Sequence, residues 1–141
     1  MTHAHTHIWT QWLALWNGDL KVASEIVAED YILHMSPIGG GGLEAFAGPE
    51  GLASWVGMLH AALRPLQFTV QVEPLFDRDM IAGRWVAKGQ YVGGFPGARA
   101  EPGTIIQFAG ADFLRIRDAK IVEYWLSSDV LDLMQPLGIT I

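Results

Sequence analysis

Cysteine is missing altogether from the 141 residues. That absence excludes disulfides, thiolate metal sites and a cysteine nucleophile, and it fits a reducing cytoplasm. Basic residues are scarce: nine Lys and Arg stand against fifteen Asp and Glu, for a net charge of -6. No basic patch forms, so a phosphate backbone would be repelled and nucleic acid is not an expected partner. No apolar run is long enough to span a bilayer, so no membrane partner is expected. Residues 1–8 lack the apolar run of a signal peptide. No repeat and no linker is visible.

What is present is apolar. Half the residues are hydrophobic and only 17% are charged, enough to bury a sizeable core in a single domain spanning residues 1–141. His3, His5 and His7 alternate near the N-terminus and could catch a metal ion. With no acidic or Cys partner nearby, a frayed, solvated terminus is the plainer reading, and no metal site is expected.

The chain then divides by period. Trp9, Trp12, Leu13 and Trp16 follow helical spacing over residues 8–16. Asn17-Gly18 stops that helix, and Asp19 can cap a second over 20–28. Residues 31–35 look extended. Residues 36–48 form a loop containing Gly39-Gly40-Gly41-Gly42; no Lys-Ser/Thr follows, so it is no phosphate loop, and it reads as a flexible lid or as plain slack. Gly48-Pro49-Glu50 opens a long helix whose buried face is Leu52, Trp55, Val56, Leu59 and Leu63, with Pro65 ending it. From Phe68 the period becomes two. Strands are predicted near 68–72, 80–91, 104–117 and 121–127, with a Gly- and Pro-rich loop at 93–103 and a last short helix over 130–135. Sequential strands on short links are antiparallel, and such a sheet hides one face against helices. The expected class is therefore α+β: a curved antiparallel sheet wrapped on a long helix, with N-terminal helices closing a cone. A pocket is expected at the mouth of the cone.

The segments Trp16-Asn17-Gly18-Asp19-Leu20, Asp30-Tyr31-Ile32-Leu33-His34, Gly48-Pro49-Glu50-Gly51-Leu52 and Lys120-Ile121-Val122-Glu123-Tyr124-Trp125, then Asp129 and Gln135-Pro136-Leu137-Gly138, resemble the SnoaL-like polyketide cyclases of the nuclear transport factor two-like superfamily. The resemblance covers nearly the whole chain. It implies the cone fold and chemistry without cofactor or metal. It does not fix one reaction, because the superfamily holds cyclases, isomerases, dehydratases, epoxide hydrolases and pure binders.

Four residues are candidates for chemistry. The resemblance implies that Asp129 is the acid/base of ring closure by aldol addition; read by itself, Asp129 is also a favoured N-cap for the last helix. Asp112 shares a strand face with Ile106, Phe108, Gly110, Leu114 and Ile116, so it should point inward. A lone buried carboxylate costs several kcal/mol unless paired or protonated, and the position is similar to that of the oxyanion-hole acid of ketosteroid isomerases. Arg84 shares a face with Met80, Ala82, Val86, Lys88 and Gln90; if that face is inner, Arg84 could pair with Asp112 or Asp129 or hold a substrate oxygen. Ile81, Trp85 and Tyr91 load the opposite face, which would then be outer and could be covered in a homodimer. His34 stands where similar cyclases place a substrate-contacting His.

Trp12, Trp16, Trp55, Phe108 and Trp125, with His60, are candidate walls of a pocket for a small hydrophobic ligand; core packing is the alternative for the aromatics, and a structural place is the plainer one for His60. Three departures from the relatives are visible. Lys88-Gly89-Gln90-Tyr91 lacks a cyclase His, Arg84-Trp85-Val86 lacks the Asp of the epoxide hydrolases, and Ser36-Pro37 replaces the Asp-Pro base of the ketosteroid isomerases. The expected function is a cofactor-free acid–base enzyme acting on a hydrophobic carbonyl compound. A non-catalytic binder of an apolar ligand, or a ketosteroid-isomerase-like or epoxide-hydrolase-like enzyme, is the alternative.

Overall fold

The computed structural model describes residues 2–35 and 42–140. Helix α1 (Thr2–Trp16) leads through a 3-10 turn (Leu20–Val22) and the short α2 (Ala23–Ile26) into strand β1 (Val27–His34). A 3-10 turn (Glu44–Phe46) precedes α3 (Gly48–Ala62). Strands β2 (Leu63–Asp77), β3 (Met80–Tyr91), β4 (Ile105–Arg117) and β5 (Lys120–Ser128) follow, and α4 (Val130–Leu137) ends the fold. No helix among the described residues is long and apolar enough to cross a membrane.

The four predicted strands form the expected antiparallel run, but the sheet has a fifth member. Its order is β1-β5-β4-β3-β2, with β1 parallel to β5. The extended segment after the second helix is thus an edge strand. The turns are tight: Arg117 pairs with Lys120 around Asp118 and Ala119, both at positive φ, the conformation that matches the twist of the flanking strands.

Several boundaries moved. The first helix starts at Thr2, so the terminus is helical rather than frayed, and His5 is buried. Among the described residues no cluster of three potential metal ligands occurs. The second predicted helix is only a 3-10 turn and one α turn, because Val27 already adopts extended geometry. Pro65 does not end α3; the helix stops at Ala62, and Pro65 lies inside β2, an edge strand where a missing N–H is tolerated. Neither Asp19 nor Asp129 makes a side-chain cap bond. Of the loop expected at 36–48, residues 36–41, including Ser36, Pro37 and Gly39 to Gly41, lie outside the described residues.

The helices cover one face of the sheet. Trp12 and Leu15 of α1, Leu52 and Val56 of α3, and Ile81, Ile106, Leu114 and Ile121 of the strands are almost wholly removed from water. Asn17, just past α1, ties that layer to β2: its side-chain oxygen accepts from Phe68 N at 2.7 Å and its amide donates to Phe68 O at 3.1 Å. The core therefore lies between the helical layer and the sheet.

Candidate functional site

Beside that core lies a cavity of about 1090 Å³, just above the size usual for small-molecule sites. Every layer contributes to its wall. Trp12 and Trp16 come from α1, Trp55 and Met58 from α3, and Phe46 from the turn before it. Phe68, Trp85, Phe108, Asp112 and Tyr124 come from β2 to β5. Phe95 of the loop between β3 and β4, Leu133 and Met134 of α4, and Ile139 close the rim. Trp16 meets Trp55 edge to face, with centroids 5.0 Å apart, and Phe46 tilts onto Trp55 at 4.9 Å. Such a surface suits an apolar, ring-bearing ligand.

One carboxylate stands in this wall. Asp112 is 2% exposed. Trp12 Nε1 donates to its Oδ2 at 2.9 Å, and the Tyr124 hydroxyl donates to its Oδ1 at 3.1 Å. Burial pushes the Asp112 carboxyl up to about 6, against the opposite pull of its polar neighbours, the Trp12 and Tyr124 donors among them. Burial, then the neighbouring carboxylate, hold the Tyr124 phenol well above its ordinary range. Asp112 and Tyr124 are the titratable side chains of the cavity wall among the described residues. A carboxyl poised near 6 supplies both its acid and its base form close to neutrality, as general acid–base work requires.

The other three candidates for chemistry lie elsewhere. Arg84 is on the outer face of the sheet, bonded to Gln71 Oε1 at 2.5 Å and to Asp129 Oδ2 at 3.4 Å. The face of β3 that carries Ile81, Trp85 and Tyr91, expected to be outer, is the buried one, because the strand turns its larger hydrophobes inward. Arg84 therefore meets Asp129 and not Asp112, and both partners of that pair are well exposed. Asp129 points away from the cavity, although its neighbours Ser128 and Val130 line it. His34 is also outside. Its Nε2 meets Glu123 Oε2 at 2.7 Å and its ring stacks on Trp125 at 5.0 Å. The bond from His34, more than that from Arg115, holds the Glu123 carboxyl below its usual range.

Of the expected wall residues, Trp12, Trp16, Trp55 and Phe108 are in place, whereas Trp125 and His60 are not. Trp125 lies outside between His34 and Arg115, whose guanidinium is 5.7 Å from the ring centroid. His60 donates a ring N–H to the Trp16 carbonyl at 2.7 Å, satisfying the last turn of α1. Sequence reasoning missed Tyr124 as the partner of Asp112. A β-bulge explains this: Ile116 pairs with Ile121 but Arg115 with Glu123, so Val122 is the extra residue. Counting by twos from Ile121 turns Trp125 inward; the bulge shifts the count and turns Tyr124 inward instead.

Comparison with known proteins follows the same outline. The residue pattern of the family described as SnoaL-like polyketide cyclase matches residues 6–137. No curated protein sequence matches the chain at a significant level. Among solved structures, TsrD from Streptomyces laurentii superposes with a TM-score of 0.79 at 20% identity, over 98% of this chain and 97% of that one. IdmH from Streptomyces antibioticus, for which a polyketide cyclase role is proposed, gives 0.77 at 25% identity, over 95% and 98%. A protein of ketosteroid isomerase-like fold from Catenulispora acidiphila gives 0.69 at 21% identity, over 94% and 93%. The fold is thus the nuclear transport factor two-like cone that the resemblance implied.

Proposed function

This chain belongs to the SnoaL-like polyketide cyclase family, and we propose that it is an acid–base enzyme acting on a neutral, hydrophobic, ring-bearing carbonyl compound. The observation that carries the reading is Asp112, a carboxylate in a largely apolar wall rich in aromatic rings, held by two donors and poised near 6. In this reading the Asp112 carboxylate takes a proton from carbon beside a substrate carbonyl. The enolate so formed attacks a second carbonyl of the same molecule, making one C–C bond. Asp112 then returns the proton to the new alkoxide, so the step is an isomerisation and needs no oxidant. Trp12 and Tyr124 orient the carboxylate, and the apolar walls keep water from quenching the enolate. Asp129, expected from the family resemblance to be the acid/base, is replaced in this reading by Asp112.

One feature favours a second reading, a carrier without turnover: both Asp112 oxygens already accept a hydrogen bond, as a purely structural carboxylate would. Neutral aryl-substituted 1,5-diketones, whose terminal enolate can close a six-membered ring, offered in D₂O separate the two. NMR follows exchange of the α-hydrogen and ring closure for the unmodified protein and for Asp112→Asn. The enzyme reading expects exchange that falls about 100-fold or more in Asp112→Asn, with ligand affinity kept. Tight binding by both forms without exchange in either establishes the carrier and removes the enzyme.

We also propose a homodimer through the outer sheet face, on other residues than the sequence suggested. Trp85 faces the cavity, but Val72, Leu75 and Phe113 are exposed on the outer face. The pairs Arg84–Asp129 and Arg115–Asp79 put both signs of charge around them, which suits a patch that must complement itself about a two-fold axis.

A further inference from the structure

The 3-10 turn Glu44–Phe46 is gripped from two sides, by β1 and by the start of α3. From β1, the buried Tyr31 donates its hydroxyl to the Phe46 carbonyl at 2.5 Å. From α3, Gly51 offers a bare Cα. A Cβ there would stand 2.6 Å from the Phe46 carbonyl carbon, 2.8 Å from Ala45 O and 3.0 Å from Phe46 Cα. All three atoms belong to the backbone, so no change of rotamer could make room. Gly51 lies inside the helix, where alanine is otherwise preferred. The Phe46 ring itself lines the cavity. It tilts onto Trp55 at 4.9 Å, Trp55 meets Trp16 edge to face at 5.0 Å, and Trp16 meets Trp12, the donor to Asp112, at 5.8 Å.

We propose that Phe46 is a specificity-determining side chain for the ring of an aryl ketone, and that Tyr31 and Gly51 are the positioning residues that set it. The proposal rests on the cavity as the ligand site, which the enzyme and carrier readings share. Trp12 and Trp16 are held by the core, but Phe46 is only half buried, so its place in the wall depends on the turn that carries it. The Tyr31 hydrogen bond fixes the Phe46 carbonyl, and the close approach of Gly51 fixes its Cα. Together they fix the direction in which the side chain leaves the turn. A ligand that turns its carbonyl toward Asp112 lays its ring along Trp16, Trp55 and Phe46, because those rings run in contact from the Asp112 donor. Neither Tyr31 nor Gly51 lines the cavity, so both act through Phe46.

The test is calorimetric binding of methyl naphthyl ketone to the unmodified protein, Phe46→Ala, Tyr31→Phe, Gly51→Ala, and the last two combined with Phe46→Ala. Phe46→Ala weakens binding about three- to tenfold, as loss of one aromatic contact predicts. Tyr31→Phe and Gly51→Ala each reproduce part of that loss, at least about twofold, although neither removes an atom from the wall. In the Phe46→Ala background both have no further effect, which a merely structural role would not produce. If Gly51→Ala does not fold, Tyr31→Phe decides. Unchanged affinity in Tyr31→Phe, or the same loss with and without the Phe46 ring, overturns the proposal. If no form binds the ketone, the cavity is not a site for such ligands and the specificity role falls with that reading. The positioning role is then decided by ring-to-ring NOEs between Phe46 and Trp55: weakening in Tyr31→Phe upholds it, and unchanged NOEs overturn it as well.

Discussion

Trp12 Nε1 donates to Asp112 Oδ2 at 2.9 Å across 100 positions of sequence, joining the first helix to the fourth strand at the cavity wall. This bond fixes an indole in the core and a carboxylate at the site in one step. It also sets the direction of several measurable effects.

The first concerns pH and stability. Burial raises the folded-state pKa of Asp112 from 3.8 to about 6. Between those values the folded protein holds a proton that the unfolded chain has lost. Stability from this group is therefore full below about pH 4, falls as pH rises through 6, and is flat above. The loss is on the order of 3 kcal/mol. Urea unfolding of the unmodified protein and of Asp112→Asn from pH 4 to 7 isolates it, since other groups titrate alike in both. The two curves should converge toward pH 4 relative to their separation at pH 7, and parallel curves would contradict the assignment.

Removing a donor pushes the same equilibrium further. In Trp12→Phe the buried Oδ2 loses its partner, which costs about 1–3 kcal/mol, and the Asp112 midpoint rises. NMR titration with chemical denaturation reports both numbers. A downward shift of the midpoint would mean that the indole serves the neutral acid rather than the carboxylate.

Tyr124→Phe should act in the same sense on Asp112, because the lost hydroxyl also favours the charged form. Its cost to stability is about 1 kcal/mol, since the ring remains packed edge to face on Trp12 at 4.8 Å. If catalysis runs through Asp112, the acid limb of the pH–rate profile moves to higher pH with the titration midpoint. A moved midpoint with an unmoved limb would dissociate Asp112 from the reaction.

The Arg84–Asp129 pair predicts a small effect. Its partners are 39% and 54% exposed, so a double-mutant cycle with Arg84→Ala and Asp129→Ala should give a coupling below about 1 kcal/mol that fades in salt. Asp129→Asn should leave α-hydrogen exchange intact. A large loss of exchange in that variant would return the acid–base role to Asp129.

The outer face can be probed by charge. Leu75→Lys with Phe113→Lys places cations on residues that are 70% and 47% exposed, so the monomer should fold unchanged. Sedimentation equilibrium should show a dimer for the unmodified protein and a monomer for the pair. A protein that is already monomeric before substitution rules this interface out.

The strands from Met80 onward were legible because two-residue alternation and short turns are local signals. The β4 face was legible too, from its hydrophobic load; on β3 the same load suggests an outer face covered in a dimer, and the structure turns Ile81 and Trp85 inward instead. Asp112 followed from the load rule on β4, as a charge on an apolar face. Where a period breaks, the rule fails. The extra residue at Val122 exchanged Tyr124 for Trp125, and nothing in the local pattern marks a bulge. His34 and Asp129 were carried over by position in the chain. Position does not say on which side of a sheet a side chain emerges.

By itself the sequence determined the class of fold, the antiparallel run, the apolar character of the interior and a buried acid on β4, since each depends on composition and short-range periodicity. Only the tertiary structure decided that β1 joins the sheet beside β5, that Asp112 is gripped by Trp12 and Tyr124, and that Asp129 pairs with Arg84 away from the cavity. Those outcomes depend on which strand neighbours which and in what register. Register is fixed by the packing of the whole core, not by any one stretch of chain.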